Sequence, residues 1–181
     1  MKTRQMTRVL KGLPLRWFRA ASVAAALCAG AIGQGLPRVQ LDADGLAPRP
    51  IEELTGTTIA RHYAQAWSDL ASALESNHAA GLSEEFTGFA KDRLTQRIAQ
   101  QEDAGLHVQI VDRGHRLKAI FYSTDGAAMQ LVDQAQLEIR VFDGNKLIDS
   151  QSAPHTYMVL MTPGADRWYV RDLEETSGKS F

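Results

Sequence analysis

The chain has 181 residues, a formal net charge of −1 and 44% hydrophobic side chains, enough for one domain with one core. The charge is unevenly spread: residues 1–41 hold seven basic groups and no acid, whereas residues 42–181 hold thirteen basic and twenty-one acidic groups, a balance of −8. A domain this acidic repels phosphate backbones, which argues against a nucleic-acid partner, and a single cysteine, Cys28, excludes an intrachain disulfide and a thiolate metal site.

Lys2, Arg4, Arg8, Lys11, Arg16 and Arg19 precede an uncharged stretch from Ala20 to Pro37. A basic region followed by an apolar one is the layout of an export signal or a signal anchor, so residues 1–35 predict a domain that works outside the cytoplasm. Ala29-Gly30-Ala31 supplies a small-x-small cleavage pattern. The long basic region and Trp17, placed like an interfacial anchor, argue instead for retention, with residues 17–36 as the tether. Cys28 follows Leu27, whereas bacterial lipoprotein signals put a small residue directly before the cysteine, which argues against lipidation.

Residues 36–50 hold three prolines, two aspartates and a glycine, and read as a linker. Over 51–77, Ile59, Tyr63, Trp67, Leu70 and Leu74 recur at steps of three and four, which predicts an amphipathic helix ending at Asn77 to Gly81. A second helix is expected over 83–103, with Ser83 as N-cap, a stripe of Phe86, Phe89, Ala90, Leu94 and Ile98, and Gly105 as its stop. The period then changes to two. Strands are expected over 106–122, with a bulge at Gly114, over 127–142, over 146–162, and from Arg167 to Leu173. Asp143-Gly144 and the segment Thr162 to Asp166 are the turns, and Pro154 suggests an edge or a bulge. The domain thus spans 51–174, and 175–181 reads as a flexible tail.

Helices followed by strands indicate an α+β fold: two N-terminal amphipathic helices packed on a strongly curved antiparallel sheet of about four long strands, shaped like a cone. At this point residues 52–174 resemble the nuclear transport factor 2-like superfamily, also called the cystatin-like α+β cone. The resemblance rests on the first helix with Tyr63 and Trp67, the long strands after Gly105, and the closing strand Arg167-Trp168-Tyr169-Val170-Arg171-Asp172-Leu173. The superfamily includes isomerases, dehydratases, cyclases, binding subunits and membrane-tethered scaffolds, so the fold does not select a function.

Asp133 stands in the odd-numbered row of the 127–142 strand, between Leu131 and Ala135, where every other member is apolar. If that row faces the cone, burial raises the pKa of Asp133 and suits it to acid–base work. The resemblance to the isomerase branch then implies Tyr63 as a hydrogen-bond donor, although that branch uses more than one acid and no second one can be matched. The alternative is that a bulge turns Asp133 outward, or that an arginine or a backbone amide pairs with it. Trp67, Met129, Leu131, Leu137, Tyr157 and Trp168 would line an apolar ligand pocket, or simply pack as core. Asp112-Arg113-Gly114-His115 is a local polar cluster, and Gly114 can re-aim its neighbours.

No nucleophile elbow, phosphate loop, dinucleotide fingerprint or metal-spaced histidine pair occurs, so neither a metal nor a cofactor is expected. The glutamine-rich even face of the 127–142 strand is either solvated or a homodimer contact. The main expectation is a non-catalytic extracytoplasmic domain that binds a small apolar ligand or an envelope protein, touching membrane only through its N-terminal segment. The alternatives are a cone-type lyase or isomerase built on Asp133 and Tyr63, and a tethered scaffold subunit of an envelope complex.

Overall fold

A computed structural model describes residues 35–176. The segment expected to be a signal or anchor, with Trp17, Cys28 and Ala29-Gly30-Ala31, and residues 177–181 of the expected tail lie outside the described residues. The elements are β1 (Val39–Asp42), α1 (Glu53–Ser76), a short 3₁₀ helix (Ala79–Glu84), α2 (Gly88–Asp103), β2 (Leu106–Tyr122), β3 (Met129–Asp143), β4 (Lys146–Pro163) and β5 (Trp168–Glu175). They form one five-stranded mixed sheet in the order β1-β2-β3-β4-β5, antiparallel except for the β1–β2 pair.

α1 buries the face its spacing predicts: Ile59, Tyr63, Trp67, Leu70 and Leu74 are all buried. Each such side chain contributes roughly 1.5–3 kcal/mol on leaving water. Asn77 ends the helix in the left-handed conformation, φ 56°, and its Nδ2 donates to the Leu106 carbonyl at 2.9 Å, tying the end of α1 to the start of β2. The odd row of β3 faces α1, with Met129, Leu131, Asp133, Ala135 and Leu137 at 0–1% exposure. Pro154 lies beyond the stretch of β4 that pairs with β5, where β4 has a neighbour on one side only and a missing N–H costs little.

Three expectations need correction. The 36–50 stretch is not only a linker. Val39 and Leu41 turn inward while Gln40 and Asp42 turn out, and the four residues pair in parallel with His115–Lys118. A four-residue alternation beside three prolines is too short to stand out as a strand.

The second helix begins at Gly88 rather than at Ser83. Residues Glu85 to Thr87 are extended against β5: the Thr87 N–H donates to the Val170 carbonyl at 3.0 Å, and the Val170 N–H donates to the Glu85 carbonyl at 2.8 Å. The Phe86 N–H closes a last turn on the Leu82 carbonyl at 2.8 Å, and the pairing of Glu85 and Thr87 with β5 separates that turn from the α-helix that starts at Gly88. Phe89 is consequently 67% exposed rather than part of the stripe, while Ala90 and Ile98 are buried.

The domain also runs past 174. Glu174 and Glu175 pair with Met158 and Tyr157, and the Thr176 N–H donates to the Thr156 carbonyl at 2.9 Å.

Candidate functional site

The site is assembled by a bulge. On β2, Asp112 pairs with Leu137 and His115 pairs with Ala135, so β2 spends one residue more than β3 between the two pairs. Before the extra residue the buried positions are even, Val108 and Ile110; after it they are odd, His115, Leu117 and Ala119. The shift turns Asp112 and His115 toward the same face. Gly114 makes this possible with φ 124°, a region that L side chains rarely adopt. A Cβ there would lie 3.2 Å from the Arg38 carbonyl oxygen, and that carbonyl accepts the His115 N–H at 2.9 Å, so the bulge also docks β1.

His115 then reaches across to β3. Its Nδ1 lies 2.7 Å from Asp133 Oδ2, and its Nε2 lies 2.7 Å from Asp112 Oδ2. From α1, the Tyr63 hydroxyl donates to Asp133 Oδ2 at 2.8 Å. Asp133 and Tyr63 are 0% exposed, and His115 is 2% exposed. Trp67, one turn beyond Tyr63, covers the imidazole at a ring-centre distance of 4.7 Å and meets Tyr157 at 5.3 Å. Among the described residues, the buried Oδ1 of Asp133 and the Trp67 indole N–H have no hydrogen-bond partner.

The electrostatics follow from burial and pairing. Burial disfavours a charged imidazole, but the hydrogen bonds and charges of Asp112 and Asp133 outweigh it and push the His115 pKa up to about 9. Asp133 is raised above the usual aspartate value, first by burial, with His115 and Tyr63 opposing. Tyr63 is raised well above its ordinary value by burial and by the Asp133 charge. With its pKa up to about 9, His115 keeps its second proton at neutral pH, in a chain of short hydrogen bonds that links α1, β2 and β3.

Asp133 and Tyr63, singled out in the sequence, are thus brought together. Beside them stand two residues not singled out as site residues, His115 on Asp133 and Asp112 on His115. Both were visible as a polar cluster at Gly114. The parity of β2 is the signal that assigns them to the inner face, since the apolar positions switch from even to odd across the glycine. The residues expected to line a pocket, Trp67, Met129, Leu131, Leu137 and Trp168, belong to the packed core, with Tyr157 partly buried against it.

Two grooves open on the other face of the sheet. One, of about 310 Å³, is lined by Arg38, Gln40, Arg113, Arg116, Gln134 and Gln136 together with the Gly114–His115 segment. The other, of about 670 Å³, runs from Gln40 and Arg116 to Ile120, Val132 and Met158. None of the predicted pocket residues lines either groove.

Two helices against the inner face of a long, bulged, open five-stranded sheet make an α+β fold, in keeping with the cone-like architecture that the resemblance implies. Among solved structures, the intermembrane space region of the chloroplast protein ARC6 matches with a TM-score of 0.56 at 15% identity, covering 66% of this chain and 97% of that one. A putative dehydratase from the NTF2-like family of Streptomyces avermitilis matches with a TM-score of 0.44 at 9% identity, covering 68% and 99%. A protein of unknown function with a cystatin-like fold from Nostoc punctiforme matches with a TM-score of 0.43 at 11% identity, covering 69% and 92%. At these identities the likeness concerns the fold alone. No family model matches the sequence, and no curated protein matches it.

Proposed function

We propose that the chain is a non-catalytic binding or assembly domain that works outside the cytoplasm, delivered by its basic and then apolar N-terminal segment. The observation that carries this reading is the burial of the Tyr63–Asp133–His115 chain, at 0%, 0% and 2% exposure. A general acid or base has to come within hydrogen-bond reach of the proton it moves. Here Leu131 and Ala135, its neighbours in the row, and Leu117, its partner on β2, are buried at 0–1% exposure, so the carboxylate is closed in by the core. His115 between Asp112 and Asp133, with Tyr63 on Asp133, is a cross-tie between three elements, and the surface that can meet a partner is the opposite face of the sheet, where the grooves lie.

A cone-type lyase or isomerase, with Asp133 as acid or base and Tyr63 as donor, is favoured by one feature: Asp133 Oδ1 is buried and has no partner among the described residues, and could meet a ligand proton. The two readings separate in one experiment. The full chain, recovered from periplasmic and membrane fractions and sized by intact mass, is titrated with cyclic ketones and hydroxylated aromatics while tryptophan emission and product formation are followed. The expected result is no saturable emission change and no turnover. Turnover that disappears in Asp133→Asn would establish the enzymatic reading instead. A product starting near Ile32 in the soluble fraction marks a released binding protein, and a full-length product in the membrane marks a tethered scaffold. Recovery of the chain only from the cytosol would overturn the location.

A further inference from the structure

We infer that the outer sheet face recognises an acidic segment of a partner protein, with its carboxylates on Arg38, Arg113 and Arg116 and an adjoining apolar side chain beside Ile120, Val132 and Met158. The inference rests on the binding-domain reading above and names the chemistry of the partner.

The smaller groove is carboxylate-free in its lining: three arginines and three glutamines frame it. That composition is unexpected in a domain whose residues 42–181 carry a balance of −8. Arg38 and Arg116 are exposed and make no ion pair among the described residues, and neither do the amides of Gln40, Gln134 and Gln136 hydrogen-bond there. Only Arg113 is engaged, by Glu138 at 2.7 Å, which anchors its guanidinium at the groove rim. Guanidinium groups present paired donors that match carboxylate geometry, and amide side chains supply donors and acceptors for a peptide backbone.

The register places these groups together. Gln40 pairs with Arg116, and Arg116 pairs with Gln134, which gives one polar row across three strands. The next row along runs from the charged Asp42 and Lys118 on β1 and β2 to the apolar Val132 and Met158 on β3 and β4. The larger groove shares Gln40, Arg116 and Gln134 with the smaller one, so the two are continuous and pass from basic to apolar, with Asp42 as the acid at that end. An acidic stretch carrying a leucine-like side chain complements both halves.

An anionic lipid surface fits less well. Polybasic lipid-binding clusters hold about four to eight Lys and Arg, whereas the joined grooves hold Arg38, Arg113, Arg116 and Lys118, with Arg113 paired to Glu138 and Asp42 among the lining residues.

The test uses the full chain in detergent micelles, a fluorescent glutamate-rich peptide carrying one leucine, the same peptide with glutamine for glutamate, and vesicles containing anionic phosphatidylglycerol. Anisotropy is read at low and high salt. The expected result is saturable binding of the acidic peptide that weakens with salt, at least about tenfold weaker binding of the glutamine peptide, and at least about tenfold loss in Arg38→Gln/Arg116→Gln. Both arginines are exposed, so the variant should keep the thermal unfolding curve of the parent. Equal binding of the two peptides, or no effect of the double variant, overturns the assignment. Arginine-dependent capture by vesicles without peptide binding assigns the face to lipid. Arginine-dependent self-association in sedimentation assigns it to a second copy. Each of those outcomes sinks the acidic-segment proposal but leaves the binding-domain reading standing, whereas Asp133-dependent turnover would sink that reading and leave the peptide result to be judged separately.

Discussion

Deprotonating His115 should destabilise the fold, because the protonated ring is what donates to both Asp112 and Asp133. The perturbation is a rise in pH. In the unfolded chain a histidine titrates near 6.5, and in the folded domain His115 is pushed up to about 9. A raised folded pKa means the added stability is fully present below pH 6.5 and is lost as pH climbs through about 9. A difference of that size corresponds to roughly 3 kcal/mol, a large fraction of the total for a domain this small. Urea unfolding at intervals from pH 6 to pH 10 measures it directly, and the titration of the His115 ring by NMR measures its cause. His115→Gln serves as the control: it should be less stable than the parent at pH 6, yet nearly flat across the window where the parent declines. The difference between the two curves removes the contributions of other groups that titrate there. Parallel curves, or a His115 ring that titrates near its ordinary value, would refute the argument that Asp112 and Asp133 hold the proton.

Tyr63→Phe removes the hydroxyl that donates to Asp133 at 2.8 Å while keeping the ring against Trp67, and should cost about 1–2 kcal/mol in urea unfolding, with the His115 titration retained. Gly114→Val should cost about 1–3 kcal/mol, since φ is 124° and a Cβ would lie 3.2 Å from the Arg38 carbonyl. The loss should be accompanied by faster hydrogen exchange at the His115 amide, which loses its acceptor on β1.

Periodicity carried most of the architecture. The face of α1 and the four long strands are set by side chains that must be buried, and burial leaves a trace at steps of three and four or of two. Where backbone hydrogen bonds decide, the trace vanishes: Ser83 looks like an N-cap, but the pairing of Glu85–Thr87 with β5 delays the helix to Gly88. β1 was missed for a related reason, since its partner lies far along the chain and its four residues bury only Val39 and Leu41 in part. At the site, Asp133 stood out as the one acid in an apolar row, and Tyr63 lay on the inward face of α1. His115 escaped assignment because a single inserted residue inverts the facing of everything after it, so its direction depends on the register at Gly114 rather than on its own position.

The parallel pairing of β1 fixes an order of assembly. Val39 is the partner of His115, seventy-six positions later, so β1 has nothing to pair with until β2 is made. The β3–β4 hairpin closes across a two-residue turn at Gly144 and Asn145 and is free of that delay. Closing a long loop costs conformational entropy, and a contact of high sequence separation forms late. β1 is therefore a clasp fastened after the sheet exists. Its docking gives the His115 amide its acceptor on Arg38 and puts Arg38 and Gln40 beside Arg116, so the carboxylate-free groove comes into being only when folding is nearly complete.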